Sequence, residues 1–546
     1  MSLDRHPVIV ASGQVIERDD IVSPVDLMAR ACRSAIDQVP KLADQIQHVS
    51  VVNVLSGVGP APGRDVSRLL GLHPARTETT VIGGNSPQWL VSRLADAIWR
   101  GELDVALIAG GEAQRSAWVN DNQGPRRRFR PQNRDAGNGE NGNRGNGGGE
   151  NGDIAEEESA APDHVVGEDR PGFGDAEVGA GLLAPVHVYP LFDSVIAHRN
   201  GRSFAEHREF LGELMAPFTE VAAAHPSAWF PISRTPRELS TPSSDNRIVS
   251  EPYTKRMCAF LGVDQAAAVI VCSYRAAQEA GIADRAVFCW SGADANEVWL
   301  PTSRPDLGNL PGLEAAASSA LDEANLSVDD ISAFDFYSCF PCVVEMGCAA
   351  LAIDHRDPRG LTITGGLPYF GGPGNAYTLF GIATMTDRLR SRSAASNANN
   401  ASRASNASRA SSASRASSAT PGDMFGLVNG LGWYATKHSV GIYGTRPPDE
   451  GWKRGDTTVA QSRIDASTLP TRVDVKELQA AQVEACTIQY SASGEVNGAP
   501  VVATLADGCR VAAQPDESVN LPDLKGRNLV GMTVRVVGSP PRYVFP

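Results

Sequence analysis

The stretch from Thr80 to Glu112 constrains the fold more than any other part of this chain. A short apolar run, Thr80 to Ile82, has the length of a buried strand, and the turn GGNSP (residues 83–87) follows it. Apolar residues then recur at helical spacing until Gly101, and a second buried strand starts at Val105. The pattern predicts a β-α-β unit whose sharp turn lies at the helix N-terminus. α/β proteins present reactive side chains and bind negative charge at such turns.

Ser86 is the predicted N-cap of this helix, with Pro87 at the first helical position. A capping serine accepts a backbone N–H and does no chemistry. This interpretation competes with a ligand-binding role for Ser86.

The unit resembles the nucleophile segment of the thiolase superfamily, especially the sterol-carrier-protein type of thiolase. That family has Cys-x-Ser-Gly at the helix start, and its next strand ends in Gly-Gly-Glu, as here at Glu112. In this register Ser86 takes the place of the family's Ser, and the nucleophilic Cys falls on Gly84. A glycine cannot form an acyl-enzyme, so the resemblance predicts the scaffold without thiolytic chemistry at this position.

Composition limits the classes of function. The chain has 546 residues, 42% of them hydrophobic, and a formal charge of −14, which argues against a general binder of nucleic acid or anionic membranes. No apolar run is long enough for membrane insertion, and the first residues lack the apolar core of a signal peptide. Nine cysteines, mostly in apolar runs, predict a reduced cytoplasmic protein. Cys339 and Cys342 form a C-x-x-C without a second pair at zinc-site spacing, so no metal is expected.

The order of elements predicts two similar α/β halves and a small β domain. The first half spans residues 1–275 with a lid region at 120–250, and the second spans 276–446. Residues 470–546 alternate apolar and polar as an all-β barrel does, without the interleaved basic and aromatic residues of a nucleic-acid binder. The resemblance implies a duplicated thiolase fold, layered αβαβα, with a helical lid insertion and a C-terminal barrel similar to an OB fold.

Two polar segments interrupt the pattern. Residues 133–159 are rich in Gly, Asn and Glu, and residues 391–420 form a Ser-Ala-Asn-Arg repeat, so both are predicted to be disordered. The basic run Arg126–Arg130 is either a solvated linker or a phosphate-facing patch. Residues 447–469 are predicted to be a polar linker, and Leu361–Thr364 is predicted to be a strand.

In the family, thiolase chemistry needs a Cys nucleophile, an Asn or His that completes an oxyanion hole, a His base and a second Cys. In this chain these four positions fall on Gly84, Tyr337, Gly372 and Asn429. The loop shapes persist, whereas the family's titratable groups are absent. The resemblance implies an acyl-CoA or related thioester as substrate or ligand, bound near Gly84, Ser86, Gly372 and Asn429, with no covalently bound cofactor.

Tyr337 and Cys339 are the candidate catalytic residues. Thiolase-like aldolases that cleave steroid side-chain CoA esters have a Tyr at the position of Tyr337 and lack the nucleophilic Cys. The alternative is a packed Tyr337 whose hydroxyl bonds to backbone. Cys339 would replace the missing sulfur if the start of its helix lowered its pKa, although no nearby histidine is recognisable. His438 is predicted to be a surface residue, and Glu112 to orient backbone.

Three functions follow from these observations. The first is an acyl-CoA-binding protein of lipid or sterol metabolism that resembles acetyl-CoA acetyltransferases. The second is a retro-aldol lyase that uses Tyr337 on CoA esters, and the third is a non-catalytic subunit that presents acyl-CoA to a partner. The family's dimers form through the first-half sheet, so the resemblance implies a homodimer that the barrel and the insertions would obstruct.

Overall fold

The computed structural model describes residues 3–120, 162–403 and 424–546. The predictions for Arg126–Arg130 and for residues 133–159 lie outside these ranges, as do residues 404–420 of the second polar segment. None of the described helices has both the length and the apolar character needed to cross a lipid bilayer.

The two α/β halves and the segment after them contain thirteen described strands. They are β1 (Pro7–Ile16), β2 (His48–Val51), β3 (Arg76–Thr80), β4 (Val105–Ala113), β5 (His164–Val166), β6 (Ile248–Ser250), β7 (Tyr253–Thr254), β8 (Asp264–Ser273), β9 (Val287–Asn296), β10 (Ile331–Asp335), β11 (Phe425–Gly432), β12 (Lys437–Gly444) and β13 (Lys453–Arg454).

The described α-helices number thirteen as well. They are α1 (Pro24–Ile36), α2 (Pro62–Leu70), α3 (Ser86–Arg100), α4 (Gln114–Asn120), α5 (Asp175–Gly179), α6 (Pro185–Arg199), α7 (Phe204–Ala224), α8 (Pro236–Ser240), α9 (Tyr274–Glu279), α10 (Pro311–Ala324), α11 (Pro341–Ala350), α12 (Tyr377–Arg403) and α13 (Thr458–Ala466).

The two halves repeat one arrangement of four strands. In the first half the order is β2-β4-β8-β1, with β2 and β4 parallel and the later neighbours antiparallel. In the second half β10-β11-β12-β9 has the same order and the same directions. The sheets meet edge to edge where β1 pairs with β9 at Val8 and Ile9. The repeated order and directions confirm the predicted duplication.

The helices form layers around these sheets. Helix α1 packs on the first sheet and α10 on the second, whereas α3 and α12 contact each other and strands of both sheets. Helices α3 and α12 precede the equivalent strands β4 and β11, so the turns before them lie between the halves. Helices α6 and α7, in the predicted lid region, pack against α11, which follows the loop of Tyr337. The layered thiolase fold with a helical insertion is therefore confirmed.

The C-terminal segment forms a closed barrel with its own apolar core. The pairing runs β19-β18-β15-β20-β21, and a parallel β19–β21 pair closes it. Its strands are β14 (Thr471–Arg472), β15 (Val475–Cys486), β18 (Val501–Leu505), β19 (Arg510–Pro515), β20 (Thr533–Gly538) and β21 (Arg542–Val544). The segment's other two strands, β16 (Gln489–Tyr490) and β17 (Val496–Gly498), form a separate sheet with β6 and β7. The closed pairing confirms the predicted OB-like barrel.

A buried carboxylate fixes the barrel to the core. Glu251, in the loop between β6 and β7, accepts from the Arg208 guanidinium of α7 at 2.7 Å and from the Tyr490 hydroxyl of β16 at 2.9 Å. The backbone N–H of Cys486 in β15 also donates to Ser194 Oγ of α6 at 3.0 Å. The barrel is therefore seated on the lid helices by specific polar contacts.

The outer edge of the first sheet is covered. Strand β5 lies parallel to β3 and takes the edge position. On β3, the fully buried Glu78 carboxylate meets Arg93 at 2.5 Å and His48 at 3.2 Å. Burial alone would raise the pKa of Glu78, but His48 and Arg93 outweigh it and lower the pKa to about 2. The implied homodimer through this sheet stays a prediction.

Three local predictions were wrong. Leu361–Thr364 is not a strand. The backbone N–H groups of Ile363 and Thr364 donate to Asp335 Oδ1 at 3.0 and 3.2 Å, so they are not free to pair with a neighbouring strand. Residues 391–403 are helical, since the alanine-rich repeat extends α12 once that helix has formed. The predicted polar linker at 447–469 contains β13 and α13.

Candidate functional site

Three of the four family positions are in direct contact at the start of α3. A Cβ atom placed on Gly84 would lie 2.5 Å from the Tyr337 hydroxyl. The backbone N–H of Tyr337 donates to Asn429 Oδ1 at 2.9 Å. Gly84 O accepts from Thr378 Oγ1 of α12 at 2.6 Å. The turn before α3, the loop after β10 and strand β11 therefore bring Gly84, Tyr337 and Asn429 together.

The fourth position, Gly372, is one contact further away. Its backbone N–H donates to Phe260 O at 2.8 Å, and Asn375 of the same loop accepts from the Gly83 N–H at 2.9 Å. Asn375 also donates to Asn53 Oδ1 at 3.0 Å. The loop that contains Gly372 and Asn375 is thus hydrogen-bonded to the turn before α3 through Asn375 rather than through Gly372.

Ser86 does not cap α3. The N-cap residue is Asn85, which makes no side-chain capping bond, and Ser86 is the first helical residue. Its hydroxyl is directed to Val81 O at 3.4 Å. The prediction of a Ser86 N-cap is therefore wrong by one residue, because the chain enters the helix at Asn85 with helical backbone angles.

The absence of a side chain at residue 84 is a steric requirement. The Cβ position on Gly84 lies 2.5 Å from Leu431 O of β11 as well as 2.5 Å from the Tyr337 hydroxyl. Both distances are far inside van der Waals contact. A cysteine here would collide with a strand carbonyl and with Tyr337, so the position excludes a nucleophile by volume as well as by residue type.

Tyr337 presents a neutral hydroxyl at this point. Burial raises the pKa of Tyr337 well above its ordinary value, so the phenol keeps its proton at neutral pH. Within the described ranges no backbone group accepts a hydrogen bond from its hydroxyl, in contrast to the sequence-based alternative. Its ring packs edge-on to Tyr377 at 5.5 Å, and the Tyr377 hydroxyl pairs with Thr364 Oγ1 at 2.6 Å. Tyr337 can therefore donate to a ligand and cannot readily act as a phenolate base.

Cys339 does not have the lowered pKa that its place before a helix predicts. The thiol is buried, and burial raises the pKa of Cys339 to about 12, although a hydrogen bond with Tyr189 acts in the opposite direction. Burial also raises the pKa of Cys342 well above its ordinary value. Neither thiol of the C-x-x-C is a thiolate at neutral pH.

Two predictions about supporting residues have different outcomes. His438 is buried, not a surface residue, because β12 lies between β9 and β11; its Nε2 atom is 3.1 Å from Glu297 Oε1. Glu112 does hold backbone, since its carboxylate accepts the N–H groups of Leu55 and Ser56 at 2.7 Å each. Burial raises the pKa of Glu112 to about 7, against the effect of these hydrogen bonds.

Lys437 also lies at this site, although no sequence motif pointed to it. Its Nζ atom donates to Ile82 O at 2.6 Å, beside the turn before α3. Burial lowers the pKa of Lys437 to about 8, although Glu168 and Asp169 act in the opposite direction. The available signal was a lysine inside the strand TKHSVGIY, where a charged residue in a buried sheet needs an explanation.

A second polar cluster lies beneath the lid helices. His207 Nε2 of α7 is 2.8 Å from Asp193 Oδ1 of α6 and 3.6 Å from Glu345 Oε1 of α11. Burial and the Asp193 carboxylate raise the pKa of Glu345 well above its ordinary value. Arg202 faces His207 Nδ1 at 3.4 Å and supplies positive charge. These groups have the donor types of a metal site, but a protonated Glu345 and Arg202 already balance the charge, and the expectation of no metal stays a prediction.

The fold and the four converging loops define a thiolase-like protein. No family model and no curated protein matches the chain. Among solved structures, a monomeric SCP2-thiolase-like protein type 1 (STLP1) from Mycobacterium smegmatis matches with a TM-score of 0.77 and 28% identity, over 100% of this chain and 99% of that chain. The Ltp2–ChsH2(DUF35) aldolase matches with a TM-score of 0.54 and 16% identity, over 81% of this chain and 98% of that chain, a likeness of fold alone.

Proposed function

We propose that this thiolase-like protein binds an acyl-CoA or a related thioester, in lipid or sterol metabolism, without forming an acyl-enzyme. The observation that carries the proposal is the Tyr337 hydroxyl, which occupies the volume of the family's nucleophile at Gly84. A neutral phenol at this point can donate a hydrogen bond to the carbonyl oxygen of a bound thioester. The acetyltransferase-like chemistry of the family would need a nucleophile that neither Gly84 nor the protonated Cys339 supplies.

A retro-aldol lyase is the second candidate, and Tyr337 again favours it. In this reaction a β-hydroxyacyl thioester breaks between its α and β carbons. The β-hydroxyl loses its proton to water and becomes a carbonyl, and the bond electrons move to the α carbon and the thioester oxygen as an enolate. The enolate then takes a proton from water at the α carbon and gives the shortened acyl-CoA. Tyr337 would stabilise the enolate oxygen as a donor and would not be the base, because its pKa is raised. The likeness in fold to an aldolase supports this candidate only at the level of scaffold.

Ligand binding is tested with acetyl-CoA and a long-chain acyl-CoA by isothermal titration calorimetry. We expect binding to the wild type, and Tyr337→Phe to weaken it about fivefold, the effect of one neutral hydrogen bond of about 1 kcal/mol. Tyr377→Phe is the matched control, since it removes the hydroxyl of the neighbouring ring that faces Thr364. No binding to the wild type, or equal losses in the two variants, would refute the role of Tyr337.

Catalysis is tested separately with a β-hydroxyacyl-CoA. Release of an aldehyde or ketone together with a shortened acyl-CoA, lost in Tyr337→Phe and retained in Tyr377→Phe, would establish the lyase. Binding of the same thioester without bond cleavage would leave the third function, a non-catalytic acyl-CoA-binding subunit. Mass spectrometry of the intact protein after incubation with acetyl-CoA is expected to show no acylated species.

A further inference from the structure

The side chain of Lys437 approaches the turn before α3 from strand β12. A Cβ atom on Gly83 would lie 2.8 Å from its Nζ atom and 2.9 Å from its Cε atom. Residue 83 must therefore lack a side chain for the lysine to reach this point. The hydrogen bond to Ile82 O at 2.6 Å holds the amine in place. The chain keeps two adjacent glycines, Gly83 facing Lys437 and Gly84 facing Tyr337.

An amide oxygen without a partner faces the same point. Asn85 Oδ1 lies 2.5 Å from the Cβ position on Gly83, is buried, and accepts no hydrogen bond. The Asn85 side-chain amide nitrogen donates to Ser439 Oγ at 3.2 Å, and this bond fixes the direction of Asn85 Oδ1. An amine and an unpaired buried acceptor thus lie side by side at the turn. A buried acceptor without a donor is unusual in a folded protein and marks this turn as a place to look for a ligand.

Lys437 and Asn85 both line a cleft of about 710 Å³. That size is within the range of small-molecule sites in proteins. Lys437, Asn85 and Trp89 line one side, and the polar residues Thr457 and Gln461 at the start of α13 line the other. Neither Tyr337 nor Gly84 lines this cleft.

The protonation of Lys437 suits nucleophilic chemistry. With a pKa of about 8, about one amine in ten is neutral at pH 7, whereas an ordinary lysine is almost entirely charged. Burial lowers the pKa because the charged form loses water. Lys453, by contrast, pairs with Glu450, and the pKa of its amine is raised. The neutral amine is the form that attacks a carbonyl carbon.

We propose that Lys437 is a carbonyl-reactive amine that forms a Schiff base with an aldehyde or ketone entering this cleft. The Nζ lone pair adds to the carbonyl carbon and gives a carbinolamine. The carbon–oxygen bond then breaks, and the oxygen leaves as water with the two hydrogens of the amine, so no oxidant or reductant is needed. This site is independent of the proposed thioester site at Tyr337.

The test uses 2,4-pentanedione, a diketone that condenses with neutral lysine amines to a chromophore absorbing in the near ultraviolet. The full chain is labelled at pH 7 and digested, and the modified lysines are located by mass spectrometry; the sequence has six lysines, so the assignment is direct. Lys41 is the matched internal control, since it also donates to a backbone carbonyl, Ala280 O, but is exposed at the surface. We expect Lys437 to react at least about tenfold faster than Lys41, because its pKa of about 8 leaves about one amine in ten neutral at pH 7.

Two variants test the assignment to Lys437 without relying on the mass spectrometry of the digest. Lys437→Met keeps the apolar stem and should lose the fast phase of absorbance, whereas Lys41→Met should retain it. The rate of the fast phase should rise with pH and reach half its maximum near pH 8. Equal labelling of Lys437 and Lys41 in the folded wild type, or no labelling of Lys437, would overturn the proposal even if Lys437→Met fails to fold.

Discussion

Adding a methyl group at residue 84 is the most direct test of the site geometry. The Cβ of Gly84→Ala would lie 2.5 Å from Leu431 O and 2.5 Å from the Tyr337 hydroxyl. The carbonyl belongs to β11, which is paired along its length with β12, so it cannot move without disturbing the sheet. Residue 84 has no left-handed backbone angle, and the cost is therefore steric.

The expected magnitude follows from two opposing terms. Overpacking in a close-packed interior costs about 1–3 kcal/mol, and two simultaneous close contacts place Gly84→Ala at the upper end. Replacing a glycine gains about 0.4–1 kcal/mol by restricting the unfolded chain. The net loss in the free energy of unfolding should be about 2 kcal/mol. Tyr337→Phe in the same chain should recover part of it, because it removes the hydroxyl contact and leaves Leu431 O at 2.5 Å and the ring carbon Cε2 at 2.8 Å.

The assay is thermal unfolding of four proteins: wild type, Gly84→Ala, the double variant with Tyr337→Phe, and Gly59→Ala. Gly59 is exposed, and the nearest atom to its Cβ position is Asp65 Oδ2 at 3.8 Å, so this control should stay within about 0.5 kcal/mol of the wild type. If Gly84→Ala unfolds at the same temperature as Gly59→Ala, the Tyr337 hydroxyl does not occupy the volume beside residue 84. Acylation of Gly84→Cys by acetyl-CoA would refute the same reasoning chemically.

Three further predictions concern the surrounding structure. Glu78→Gln should destabilise the protein by about 3 kcal/mol at pH 7, the equivalent of the shift in its pKa from 4.5 to about 2, because His48 and the partly exposed Arg93 lose their negative partner. Urea titrations of the wild type should show this contribution present above about pH 4.5 and lost as the pH falls toward 2. Iodoacetamide should label Cys509, which is partly exposed, and leave Cys339 unmodified until denaturant is added; rapid native labelling of Cys339 would contradict the effect of burial on its pKa. Tyr490→Phe should loosen the barrel, detected as faster protease cleavage between the barrel and the core, and a cleavage rate equal to that of the wild type would show that its bond to Glu251 is dispensable.

The sequence predicts the scaffold well because the signals for it are local. Glycine turns, helical spacing and buried strand runs identify each β-α-β unit, and their repetition identifies the duplication. The order of the loops also places Gly84, Tyr337 and Asn429 at one site. These predictions depend on residues near one another in the chain.

The chemistry of the site depends on contacts that no local pattern contains. The competition between Tyr337 and a side chain at residue 84 involves segments about 250 residues apart, and Lys437 reaches Ile82 across 355 residues. For Cys339 the local rule, a thiol before a helix, predicts a lowered pKa, but burial in the folded protein has the larger effect. The residue types of Ile363 and Thr364 likewise favour a strand, but their backbone N–H groups donate to Asp335 instead of to a neighbouring strand.

Because the barrel is covalently attached to the core, the contacts between them can be weaker than those between two separate proteins. Two separate proteins would need affinity high enough to survive dilution, whereas a tethered unit experiences an effective concentration on the order of millimolar. The contacts that Glu251 and Ser194 make can therefore be individually modest and still keep the barrel in place. The ratio of barrel to core is fixed at one to one in every molecule, whatever the expression level or the volume of the compartment.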